Sequence, residues 1–336
     1  MQKKEMIMTD NSIGQMVLSS EQMGDVSIAG ICMSELMNWP KELLVAQIET
    51  DFYELAYLMC RGGWKENRNV SPGIASLYPT RMCQRVSHEI NKNHVRTMRV
   101  LRQCAHDLCY PLCLERMAAH IKAREGYNIS RATLRTFIDL MDIPKHILRF
   151  TVPVCDKLPG GRIMRKNYFV YFCDPSMAVA MKGLTPETLL KNPQYMRRVF
   201  ENMVIRDMSC YARKEQGCVC HYYDSYGLRC FVIEFGDSQP KYALFDTAMD
   251  STDAAINAAA KRLNRVERIL TLAYGDKRPL FKLVITGTTY RAYMRKTDNV
   301  HIVPLLCLRG SRYGPEWRRD RSEMYRSSQE KIRYQY

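Results

Sequence analysis

Apolar residues recur every three to four positions through the first third of the chain, the spacing of one helix face. Leu43, Leu44, Ile48, Phe52, Leu55 and Leu58 form the first run, which opens at Pro40 and is stopped by Gly62-Gly63. A second run begins at Pro72 and carries Met82, Val86 and Ile90. A third carries Val95, Met98, Leu101, Cys104 and Leu108 until Pro111 interrupts it. Ahead of these, the segment to about Asn38 alternates apolar and polar residues around Gly24-Asp-Val-Ser27 and has no core of its own.

The signature changes after Pro111. A short helix is expected at Leu114–Ile121, then the turn Arg124-Glu-Gly-Tyr-Asn128, then a helix through Leu140 with Ser130 as its N-cap. His146–Val152 alternates as a strand does, and the basic turn Lys157-Leu-Pro-Gly-Gly-Arg162 leads towards a strand at Tyr168–Phe172. Helix, turn, helix and hairpin in that order is the layout of a winged helix. In that layout Arg131 and Arg135 on the second helix, and Lys157, Arg162, Arg165 and Lys166 in the wing, face a phosphate backbone. A packing module with a solvated basic face fits the same residues.

Beyond Asp174-Pro-Ser176 the pattern gives an alanine-rich turn of helix, a loop at Thr185-Pro186 and a long helix from Tyr195 to Tyr211. Strands are expected at Val219–Tyr223 and Cys230–Phe235, joined by the turn Asp224-Ser-Tyr-Gly227, and again at Tyr242–Phe245. A helix over Ala254–Leu270 carries Lys261, Arg262, Arg265 and Arg268, and short strands at Lys282–Thr286 and Val300–Val303 complete a mixed α/β module.

Composition narrows the partners. Fifty Lys and Arg against 35 Asp and Glu leave a formal charge of +15, which favours a polyanion such as DNA. The tail over 309–336 interleaves arginines with Tyr313, Trp317, Tyr325 and Tyr334, suited to phosphate contact and base stacking. Thirteen scattered cysteines in apolar surroundings read as reduced thiols, and no stretch has the length needed to span a bilayer. The expectation is a cytoplasmic protein without membrane contact.

Two kinds of chemistry find little support. No Gly-x-x-x-x-Gly-Lys-Ser/Thr loop is present to cradle nucleotide phosphates, so ATP hydrolysis by this chain alone is not expected. Cys104-Ala-His-Asp-Leu-Cys109-Tyr-Pro-Leu-Cys113 and Cys218-Val-Cys220-His221 contain zinc-ligand residue types, but their spacings match no standard knuckle. Alternation places Cys218 and Cys220 on one strand face and His221 on the other, so buried thiols and no bound metal are expected.

Several stretches together resemble the C-terminal half of a large bacterial and archaeal family of predicted AAA+ ATPases. They are Met16-Val-Leu-Ser-Ser20, Cys60-Arg-Gly-Gly-Trp64, Ile129-Ser-Arg-Ala-Thr133, Asp174-Pro-Ser-Met-Ala178, Phe200 to Asp207, His221 to Leu228 and Val284-Ile-Thr-Gly287. The resemblance covers most of residues 13–308 in family order. It implies an ATPase-side linker remnant (1–38), a helical segment (39–111), a winged-helix-like module (112–172), a degenerate PD-(D/E)XK nuclease-like α/β domain (173–308) and the basic aromatic tail (309–336).

By the same resemblance Glu201 stands at the helix carboxylate of the nuclease site and Asp246 at the second strand acid. The slots after Gly227-Leu228 that hold acids in the family hold Arg229 and Phe231, and the usual lysine two residues beyond Asp246 is Ala248. A hard cation such as Mg²⁺ would keep two protein carboxylates at most and lose its neighbouring base. Glu234 and Asp250 lie near but off the pattern. The expectation is therefore a non-catalytic nucleic-acid-binding or partner-binding protein with no cofactor, Glu201 and Asp246 being vestigial. Its alternatives are an accessory subunit of a separately encoded ATPase, or a Mg²⁺-dependent nuclease with a rebuilt site.

Overall fold

The computed structural model describes residues 51–305 except 65–66, 68–69, 91–93, 142–147, 154–168, 215, 225, 236–240 and 289–291, and the backbone alone of 148–153 and 214. Among the described residues, nine α-helices pack with one mixed eight-stranded sheet, an α+β arrangement. The expected linker (1–38) and tail (309–336) lie outside these residues, as do Lys157, Arg162, Arg165 and Lys166.

Helix α1 (Phe52–Arg61) begins at a capping box. The Asp51 carboxylate accepts from the Glu54 N–H, and Glu54 accepts from the Asp51 N–H. This satisfies donors that a helix start otherwise leaves orphaned. Of the helical run expected from Pro40, the part before Asp51 lies outside the described residues, and the described part opens at this cap. Gly62 ends α1 with φ +72°. A 3₁₀ turn at Pro72–Ile74 then precedes α2 (Leu77–Ile90), so that helix starts later than Pro72. Next come α3 (His94–His106), α4 (Leu114–Glu125) and α5 (Arg131–Met141). Gly126 closes α4 in the left-handed region, and Ser130 Oγ accepts the Thr133 N–H at 3.1 Å to open α5.

Strands β1 (Leu148–Pro153) and β2 (Phe169–Phe172) pair antiparallel, with Leu148 opposite Phe172. Helices α6 (Pro175–Met181), α7 (Pro186–Leu190) and α8 (Pro193–Lys214) follow. Helix α7 replaces the loop expected at Thr185-Pro186, since Thr185 caps it and Pro186 suits its first turn. The remaining elements are β3 (Gly217–Tyr223), β4 (Arg229–Phe235), β5 (Lys241–Ala248), α9 (Asp253–Ala273), β6 (Lys282–Thr286), β7 (Tyr293–Arg295) and β8 (Val300–Pro304). At three residues β7 is too short to show a period. The sheet order is β2-β1-β3-β4-β5-β6-β8-β7, with β1–β3, β5–β6 and β6–β8 parallel.

Period-two alternation divides the sheet's side chains between two cores. Phe231, Ile233, Phe245, Leu283 and Ile285 join a large cluster with helices α1 to α8 that runs from Leu55 to Leu305, so the expected spans 39–111, 112–172 and 173–308 all contribute to it. Cys230, Val232, Leu244, Val284 and Ile302 face α9, whose Ile256, Leu263, Val266 and Leu270 form one buried stripe. Burial of each such side chain is worth roughly 1.5–3 kcal/mol.

A buried polar junction ties α1, α6 and α8 together. Asp174 caps α6 through the Ser176 N–H at 2.9 Å, and its other oxygen accepts from Gly63 N at 2.8 Å and Arg206 Nη1 at 2.9 Å. Arg206 Nε also donates to Asp207 at 2.8 Å, and Trp64 Nε1 to Ser176 Oγ at 3.0 Å. The other notable closure is at the sheet's β2 end, where Cys109 N donates to Val170 O and Val170 N to Tyr110 O, with Pro111 bridging to Phe169.

Candidate nucleic-acid interface

Helix α8 presents Arg197, Arg198 and Glu201 within one turn, and Pro193 starts it just ahead. The Glu201 carboxylate is buried. One oxygen accepts from the Tyr171 hydroxyl at 3.1 Å, and the other takes a short hydrogen bond from Arg229 Nη2. Arg229, the first residue of β4, also donates to Cys109 O at 2.9 Å and lies 5.0 Å from the Phe169 ring centroid. Burial pushes the Glu201 carboxyl above its ordinary range, with Arg229 as the main opposing influence. For Arg229 burial works against the charge, and Glu201, aided by Tyr171 and Cys109, more than offsets it.

Asp246 lies within β5, which runs three residues past Phe245. Its carboxylate accepts from Arg262 Nε of α9 at 2.6 Å and from the Thr247 N–H at 2.7 Å. Burial raises this carboxyl too, against Arg262. Each of the two sequence-marked carboxylates thus has its own guanidinium. Among the described residues neither belongs to a group of three side chains placed to hold a metal ion.

Phe231 and Ala248 are both buried. Phe231 stacks on Phe245 at 5.0 Å in the larger core, and Ala248 packs under α9. Asp250, past the end of β5, pairs with Arg197 at 2.9 Å, while Glu234 stands on the α9 side of β4.

Beside these pairs lies a cleft of about 350 Å³ lined by Arg197, Arg198, Glu201, Thr247, Asp250 and Arg262. A second hollow of about 440 Å³ shares Arg197 and Arg198 and adds Tyr110, Phe169, Tyr223 and Arg229. Arg198 donates to His106 O at 3.2 Å and lies over the rings of Tyr110 and Tyr195 at 4.9 and 5.2 Å. No carboxylate pairs with it among the described residues. Its charge is therefore held beside exposed Tyr110 and the lining aromatics, an arrangement that can take a phosphate next to a stacked ring.

Of the other residues marked from sequence, Arg131 is exposed and paired with Glu115 at 2.7 Å, and Arg135 is exposed on the same helix. The wing cations Lys157, Arg162, Arg165 and Lys166 lie outside the described residues. Sequence reasoning missed Arg197, Arg198 and Arg262 as a set. The available signal was the Arg197-Arg198 pair one turn before Glu201, which becomes informative only once β5 and α9 are placed beside α8. Among the described residues, no helix is long and apolar enough to cross a membrane. Comparison with family models, curated proteins and solved structures gives no match in any of the three.

Proposed function

We propose that this chain is a non-catalytic nucleic-acid-binding protein, built on a winged-helix-like segment and a degenerate nuclease-like domain derived from the C-terminal region of an AAA+-type ATPase. One observation carries the reading: a guanidinium stands at each carboxylate where a metal-dependent nuclease of the resembled kind would hold its cation. Arg229 occupies Glu201, and Arg262 occupies Asp246. Hard divalent ions need several free oxygen ligands, and here the oxygens are committed to hydrogen bonds while the aspartate and lysine slots are the apolar Phe231 and Ala248.

The order α8, β3, β4, β5, α9, β6, with β5 and β6 parallel, supports the nuclease-like assignment. The succession α4, α5, β1, β2 supports the winged-helix one. In this reading Arg197 and Arg198 hold backbone phosphates in the cleft, Tyr110 and Tyr223 stack against exposed bases, and Arg131, Arg135, Lys157, Arg162, Arg165 and Lys166 contact a duplex.

Fluorescence anisotropy with duplex and single-stranded DNA across a salt series tests the reading. Affinity that falls linearly on log–log axes is expected, without strand scission in Mg²⁺ or Mn²⁺. Absence of binding at low salt overturns it. So does plasmid cleavage that is lost in Glu201→Ala or Asp246→Ala.

A further inference from the structure

On the sheet face that carries α9, strands β3 and β4 bring Cys218, Cys220 and Glu234 together. Cys218 and Glu234 are cross-strand partners, and Cys220 follows two residues along the same face. The two Sγ atoms lie 3.7 Å apart, and Cys220 Sγ lies 3.7 Å from Glu234 Oε2. The three ligand atoms all fall within 4.8 Å of one another.

Those separations have a simple geometric meaning. Two sulfurs each ~2.3 Å from a tetrahedral zinc ion stand ~3.8 Å apart, and a sulfur and a carboxylate oxygen at ~2.1 Å stand ~3.6 Å apart. A disulfide is the competing use for two thiols this close. Strand residues two apart are separated by ~6.6 Å along the strand, whereas a disulfide needs Cβ atoms within about 4.5 Å. The thiols therefore suit a shared ion better than a bond to each other.

The second ring of contacts is present as well. Tyr274, at the end of α9, donates its hydroxyl to Glu234 Oε1 and leaves Oε2 turned to the cysteines. The Tyr274 ring stacks on Tyr242 at 4.4 Å, and the Tyr242 hydroxyl donates to Lys277 O at 3.1 Å. Partners of this kind orient a ligating carboxylate. Cys218 is exposed, contrary to the expectation of buried thiols, and gives an ion a path in. His221 points to the opposite face, against Phe169, and takes no part.

We propose that Cys218, Cys220 and Glu234 form a binding site for a zinc-class divalent cation, with a fourth position left for solvent or an external ligand. Two thiolates with one carboxylate favour such an ion over Mg²⁺ or Ca²⁺, which take oxygen ligands. Spacing along the sequence could not show this, because the third ligand comes from the neighbouring strand. The site does not depend on the nucleic-acid reading. It would bridge β3 to β4 beside the end of α9.

The test is titration of the full, reduced, metal-free chain with Co²⁺. Thiolate-to-cobalt charge-transfer bands and the visible bands of tetrahedral cobalt should saturate at one equivalent, and Zn²⁺ should abolish them. Cys218→Ser, at an exposed position, should weaken binding at least about tenfold with loss of charge-transfer intensity. Glu234→Gln and Tyr274→Phe should each weaken it by about tenfold or more, with circular dichroism reporting that each variant is folded. Absence of the bands in the natural chain overturns the proposal, as does their persistence in both Cys218→Ser and Cys220→Ser. Unchanged affinity in Glu234→Gln would refute the third ligand.

Discussion

Arg229→Met removes the guanidinium from Glu201 while filling much of its volume, and it tests whether this pair stabilises the fold as a charge-neutral unit. The Glu201 side chain is 10% exposed and that of Arg229 26% exposed. Breaking a buried pair from one side costs ~3–5 kcal/mol. The partial exposure of Arg229 places the expected loss near ~3 kcal/mol, or roughly 6–12 °C in Tm at ~2–4 °C per kcal/mol for a domain of this size.

The double variant Glu201→Gln/Arg229→Met removes both charges of this pair. It should recover about 2 kcal/mol relative to the sum of the two single losses, within the range for residues in contact. Urea unfolding followed by circular dichroism measures all four corners of the cycle. The pH dependence gives an independent reading. Burial raises the folded pKa of Glu201, so its contribution to stability is present at low pH and lost as pH rises through that folded value. Without Arg229 that loss grows, and the deficit of Arg229→Met should be smaller near about pH 5 than near about pH 8. Additivity of the single losses to within ~0.5 kcal/mol, or a deficit independent of pH, would refute the reasoning.

Three further outcomes are expected. Burial first, then Lys182 and Arg124, lower His106 from 6.5 to about 4, with Lys182 Nζ donating to His106 Nδ1 at 2.9 Å. Its contribution should be complete above 6.5 and lost as pH falls towards 4, and melting curves of His106→Asn should lose that part of the slope. Gly62→Ala would set a Cβ 2.4 Å from both Asp174 Oδ1 and Ser176 Oγ at φ +72°. A loss of ~3 kcal/mol or more is expected, and an unchanged Tm would contradict the packing described. Arg198→Ala should weaken DNA binding at every sequence and lower the log–log salt slope by ~1. An unaltered slope would remove the cleft from the interface.

Most elements could be read from the chain because their faces are amphipathic. Helix α5 with Ser130 and the turn between β3 and β4 needed only local patterns. Helix α1 was harder, because apolar spacing continues across Asp51 and hides the cap, and β7 is too short to carry a period. The candidate site was legible only in part. Glu201, Asp246, Phe231 and Ala248 could be marked as positions, but the arginines that satisfy the two acids arrive from β4 and α9. That meeting depends on how the layers stack, as does the approach of Glu234 to Cys218 and Cys220.

The closure of the sheet at β2 bears on what can join its edge. A sheet edge exposes a row of unpaired backbone groups, which can recruit a foreign strand and seed aggregation. Cys109 and Tyr110 already occupy that row on β2, and the far edge, β7, is only three residues long and carries Arg295. Among the described residues neither margin offers a long template for strand addition. Changes that strip Tyr110–Pro111 from β2 should expose the Phe169–Phe172 edge to strand addition.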